Sequence, residues 1–92
     1  MHLHGIVQTA ELEENPPGSD RIEMVLRVQG VGPGQPRRLV IPFEMLLEDP
    51  SLEPETIAGH AFQAEVTEAE PRRWVVTAIT FAARRVLREP EE

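Results

Sequence analysis

The chain reads as a mostly β fold: five short strands in an antiparallel arrangement, with one short helical segment between the third and fourth. Three observations predict this. Apolar and polar residues alternate with period two in several segments. Clusters of Gly, Pro, Asn, Asp and Ser cut those segments apart. Only one stretch shows helical spacing, and its prolines hold it to a turn or two. At 92 residues the chain fits a single domain that buries ~60–65% of the surface its unfolded form exposes. That domain is placed at residues 1–88, followed by an acidic tail at 89–92.

The first strand runs from Leu3 to Leu12 with imperfect alternation, and Gly5 is the expected site of a bulge that switches its register. Asn15-Pro16-Pro17-Gly18-Ser19-Asp20 ends it as a loop. Ile22, Met24, Leu26 and Val28 then alternate with Arg21, Glu23, Val25, Arg27 and Gln29, the pattern of a half-buried strand. After Gly30-Val31-Gly32-Pro33-Gly34-Gln35-Pro36, a third strand places Leu39, Ile41 and Phe43 on one face, with Arg38, Val40 and Pro42 on the other. Pro42 has no N–H to donate, so this strand ends there or lies at an edge.

Phe43, Leu46 and Leu47 are spaced for a helix within Glu44–Gly59, where Asp49-Pro50-Ser51-Leu52-Glu53-Pro54 is a break. Pro54 suits a first helical turn and Gly59 an end. Phe62, Ala64 and Val66 define a fourth strand, and Glu68-Ala69-Glu70-Pro71-Arg72 turns it into a fifth. From Trp74 to Phe81 that last strand is apolar on both parities, and Ala82 to Arg88 is read as its continuation.

Strand count and order across residues 3–82, with the helix-to-strand entry Ile57-Ala58-Gly59-His60-Ala61-Phe62-Gln63-Ala64-Glu65-Val66, resemble the oligonucleotide/oligosaccharide-binding (OB) fold, a five-stranded partly open barrel. A nucleic-acid-binding member is expected to expose aromatics on its second and third strands. Here that region offers only Phe43, at its end. The fold serves several functions and fixes none.

Composition narrows the classes further. There is no cysteine, which excludes disulfides, thiolate nucleophiles and Cys-ligated zinc. Met1-His2-Leu3-His4-Gly5 has no basic or apolar leader pattern and no stretch nears the ~18 apolar residues of a membrane helix, so a cytoplasmic location is expected. All nine basic residues are Arg. With a single Asn and no Cys this suits a thermophile, although the lysine enrichment of hyperthermophiles is missing. The net charge of −7 opposes unspecific nucleic-acid binding, which depends on basic groups displacing phosphate counterions.

No residue pattern points to catalysis or to a cofactor. His2 and His4 would project from one strand face, but a zinc site wants three or four ligands and this is a chain end expected to fray. The pairs Glu13-Glu14 and Glu65 with Glu68 lie in polar, turn-proximal surroundings that do not tune a carboxyl for acid–base work. Gly30-Val31-Gly32-Pro33-Gly34 lacks the Gly-Lys-Ser/Thr ending of a phosphate loop. Ser19 and Ser51 adjoin turns. No catalytic or metal-binding residue is therefore assigned.

What stands out is the second face of the last strand. If Trp74, Val76 and Ala78 pack inward, Val75, Ile79 and Phe81 point outward, where Val25 and Val40 can join them in an apolar patch of the kind that marks an interface. The expectation is a non-catalytic protein-interaction or assembly module, acting as a homodimer or docking on another protein. The alternative is a single-stranded nucleic-acid binder, with Arg37, Arg38, Arg72 and Arg73 on phosphates and Trp74 stacking on a base.

Overall fold

The computed structural model describes residues 1–85. Five strands and two short helices follow in the order β1 (His2–Glu14), β2 (Ile22–Gln29), β3 (Arg38–Ile41), α1 (Phe43–Glu48), α2 (Pro54–Ile57), β4 (His60–Glu70) and β5 (Arg73–Arg85). The acidic tail and the stretch from Val86 to Arg88 lie outside the described residues. Among the described residues, no helix is long and apolar enough to cross a membrane.

The strands close into a ring in the order β1-β2-β3-β5-β4. Every neighbouring pair is antiparallel except β3 with β5, which run parallel and meet at Val40 and Val75. The all-antiparallel sheet expected from the sequence is thus corrected to a mixed one, for a reason of parity. Directions that alternate around a ring must return to their start, and five strands cannot.

The long first strand makes closure possible by serving two neighbours. Its start, His2 to Ile6, pairs with β4, and Ile6 to Glu14 pairs with β2. The end expected to fray is instead held: the Met1 ammonium donates to the Val66 carbonyl at 2.9 Å, and His2 lies opposite Glu65. The irregularity placed at Gly5 falls at Gln8, between Val7 and Thr9. It keeps Leu3 and Val7 on the core face before it and Ala10 packed against the core after it. Gly5 has another task. A Cβ there would lie inside van der Waals contact with the Gln29 carbonyl oxygen and 3.2 Å from Val31 Cγ1, so only glycine lets β1 pass this closely.

Between β3 and β4 the expected single helical segment is two. Met45 and Leu46 donate to the Pro42 carbonyl to open α1, and the chain straightens at Asp49 before α2 begins at Pro54. Pro50 between them has no N–H to continue a helix. Phe43 accordingly starts α1 and does not extend β3. α2 seats Ile57, 3% exposed, in a core built from Leu3, Val7, Met24, Leu26, Leu39, Phe62, Val66 and Val76. Each such side chain supplies roughly 1.5–3 kcal/mol by leaving water.

Candidate interaction surface

Strand register assigns each of the predicted surface residues to a face. Val25 pairs with Glu11 on one side and Val40 on the other, Val40 pairs with Val75, and Val75 with Thr67. These residues form one row around the outer wall, since Met24, Leu26 and Val28 alternate with Val25 into the core. Yet Val25 is only 8% exposed and Val40 1%. Two ion pairs pass over this row. Arg38 reaches Glu13 at 3.6 Å, and Arg73 reaches Glu23 at 2.5 Å. By register the first pair starts two residues to one side of the valine row and ends two residues to the other, crossing Val25, and the second crosses Val40 in the same way. Long charged side chains laid along a sheet in this way shield apolar surface with their stems. The expectation that Val25 and Val40 offer free apolar surface is corrected accordingly.

The second correction concerns Ile79 and Phe81. β4 and β5 lose register between Glu65 and Val66, because Ala78 opposes Glu65 while Val76 opposes Val66, leaving Thr77 as the extra residue. A bulge of this kind moves every later side chain to the other face. Trp74 and Val76 therefore face inward before it, and Ile79 and Phe81 after it, paired with the inward Ala64 and Phe62. Ala78, exposed, takes the outer face with Thr80. Val75 alone of the three points outward as expected, half-buried at the end of the valine row.

Ile79 and Phe81 are nonetheless only partly covered, because they stand where the ring is thinnest. α1 packs on β2 and α2 on β1, and hollows remain between the helical link and β5. A hollow of about 420 Å³ lies between the helical link and β5, lined by Met45, Glu48, Asp49, Leu52, Ala78 and Ile79. Next to it, a second of about 210 Å³ shares Asp49, Leu52 and Ile79 and continues to Phe81 and Ala82. Across β4, a broader depression of about 500 Å³ reaches Phe81 from the side of Gly5 and Phe62. The flank is apolar on its floor and acidic on its rim, where Glu48 and Asp49 are exposed.

The predicted phosphate contacts are already engaged in part. Arg38 and Arg73 hold Glu13 and Glu23, and Trp74 packs against the core. Arg37 and Arg72 are exposed. Arg72 sits in the β4–β5 turn with φ of 66°, its N–H donating to Glu68. Burial of Glu23 works against its charge. Hydrogen bonds from Arg73 and Asn15, with the charges of Arg73 and Arg21, outweigh that and hold the carboxyl below its ordinary range. Close by, just before β2, Arg21 pairs with Glu44 and lies 5.3 Å from the centre of the Phe43 ring, a cation–π distance.

The remaining sequence candidates are dispersed. His2 Nδ1 lies 2.8 Å from Glu65, His4 is opposite Gln63, and His60 Nδ1 donates to the Ala82 carbonyl at 2.8 Å. Among the described residues, no three His, Asp or Glu side chains are grouped to hold a metal. In the glycine-rich loop the Gly32 N–H donates to Gln35 Oε1, closing a turn. Ser51 donates to Asp49 beside it, and the Ser19 hydroxyl accepts from the Arg21 N–H.

Sequence reasoning found Ile79 and Phe81 for the wrong face and missed Glu48, Asp49 and Leu52. The signal for the bulge was present: large apolar residues sit at 74 and 76, then at 79 and 81, two alternating runs out of phase with small residues at their junction. No family model, no curated protein and no solved structure matches this chain.

Proposed function

We propose that the chain is a non-catalytic protein-interaction module built on an OB-like barrel. The OB-like reading draws on the ring order, the helical link between β3 and β4, and a first strand shared between two neighbours. The observation that carries the functional reading is the open flank of β5, where Ile79 and Phe81 floor hollows bordered by Leu52 and Met45 and edged by Glu48 and Asp49. Concave apolar surface with a charged rim is the form that accepts a protein segment. Nucleic-acid binding through Arg37, Arg38, Arg72, Arg73 and Trp74 is the weaker reading, because two of those arginines must first release a carboxylate and the tryptophan must leave the core.

Two measurements test it together. Cross-linking with mass spectrometry in cell extract is expected to concentrate inter-protein links on residues 44–56 and the exposed side of β5. Titration with short single-stranded DNA and RNA at ~50 and ~200 mM salt is expected to show no binding. Micromolar oligonucleotide binding that collapses at the higher salt refutes the proposal.

A further inference from the structure

Whatever the flank of β5 receives, we infer that the β3–β5 seam is a gate in this barrel, where the ring opens while its other strand pairs stay closed, and that Glu23 and Arg73 form its clasp.

Paired strands part where they hold each other least. β1 runs in register with β2 from Ile6 to Glu14 and with β4 from His2 to Ile6. β2 runs with β3 from Met24 to Arg27, and β4 with β5 from His60 to Glu70. Among the described residues, β3 and β5 meet at Val40 and Val75 alone, in the parallel sense that is the weaker per residue. A hollow of about 420 Å³ lies beside β5 just past this meeting point, at Ala78 and Ile79. Segments with so few ties open at a lower free energy than the whole domain unfolds. Opening here bares Val40 and Val76, which are 1% and 0% exposed in the closed ring.

One side-chain pair is placed to hold the gate shut. Arg73, at the start of β5, reaches over β3 to Glu23 of β2. Their side chains are 26% and 14% exposed, against 48% and 52% for Arg38 and Glu13, so water screens their bond less. The Asn15 side-chain amide also donates to Glu23. Charged groups face the clasp from each neighbour: Glu13 of β1, which Arg38 of β3 reaches; Arg21, paired with Glu44 of α1; and Glu70 of β4, opposite Arg73. The Glu23 carboxyl is held below its ordinary 4.5 and is therefore charged at neutral pH. Protonation, as pH falls through the folded value, removes the charge that Arg73 grips, and the gate loosens in acid.

The test is amide hydrogen exchange of the whole chain in urea below its unfolding midpoint. The fastest amides within Arg38–Ile41 and residues 73–76 are expected to exchange at least about tenfold faster than those of Leu26, Val28, Ala64 and Val66. Their rates should also depend less on urea, since a local opening exposes less surface than unfolding. Glu23→Gln is expected to speed the seam amides about tenfold at pH 7. Glu13→Gln, whose partner Arg38 does not cross the seam, is expected to leave them within about twofold. As pH is lowered, with rates corrected for the intrinsic pH dependence of exchange, wild type is expected to draw level with Glu23→Gln.

Seam amides that share the rate and urea dependence of Leu26 and Ala64 overturn the gate, because the ring then opens only as a whole. Seam exchange unmoved by Glu23→Gln overturns the clasp. Should that variant not fold, the wild-type acid series decides alone: exchange that rises at the seam before the core supports the inference, and exchange that rises everywhere together refutes it.

Discussion

Ile79→Ala and Phe81→Ala test directly where the bulge at Thr77 sends the second half of β5. If Ile79 faces the core, its truncation removes three carbons at about 0.8 kcal/mol each when fully buried, less for its residual exposure and more for the cavity left behind. The sum is about 2 kcal/mol. Phe81, opposite the buried Phe62, is expected to cost about 2–3 kcal/mol, short of the 3–5 of a fully enclosed Phe. In a domain of this length each kcal/mol lowers Tm by about 4–8 °C, so both variants shift it by 8 °C or more. Thr80→Ala and Ala78→Ser, on the outer face, are expected to stay within about 0.5 kcal/mol of wild type. The assay is urea unfolding followed by Trp74 fluorescence. A reversed pattern, with positions 78 and 80 sensitive and 79 and 81 silent, means unbroken alternation and refutes the bulge.

Gly5→Ala is expected to destabilise by about 1–3 kcal/mol, since the Gln29 carbonyl must move to admit a Cβ. Gly34→Ala meets no neighbour and costs only about 1 kcal/mol for its φ of 78°, so equal urea midpoints for the two would discredit the close approach of β1 to β2. Leu26→Ala, at a fully buried position, is expected to cost about 3–4 kcal/mol by the same assay. Glu23→Gln is expected to cost about 1–2 kcal/mol at pH 7 by weakening the bond to Arg73. The Glu23 carboxyl is depressed in the fold, so its contribution is complete above its ordinary value of 4.5 and fades as pH falls through the folded value. Urea midpoints of wild type and variant should therefore draw together as pH falls below 4.5. A constant gap from pH 7 to 3 removes the pair from the argument.

Much of the fold was legible in alternation. The inward set Met24, Leu26 and Val28 and the opposing set Phe62, Ala64 and Val66 were recoverable because each strand keeps one face dry over that span. Two features escaped because each breaks period two by one residue. Gln8 in β1 and Thr77 in β5 are the extra residues, and neither is the glycine that pattern reading favours for a bulge. The outer valines escaped for a different reason. Val25 and Val40 look exposed in any strand-by-strand reading, and only register shows that the Arg38–Glu13 and Arg73–Glu23 pairs, each spanning one intervening strand, pass over them. Ion pairs so distant in sequence leave no local trace.

The open flank follows from arithmetic that no single strand contains. Five strands in a ring force one parallel neighbour pair, and here it falls between the shortest strand, β3, and one of the two longest, β5. A four-residue partner cannot hydrogen-bond thirteen residues, so β5 past Val75 is left unpaired on that side. The helical link borders the gap, but it is interrupted by Pro50 and packs through α2 on β1 and through α1 on β2. Apolar residues kept at 79 and 81, beside an edge without a guarding charge, are therefore costly to leave in water. The short parallel seam with β3 and the unguarded run of β5 are thus one feature of the fold, set by strand number and strand length together.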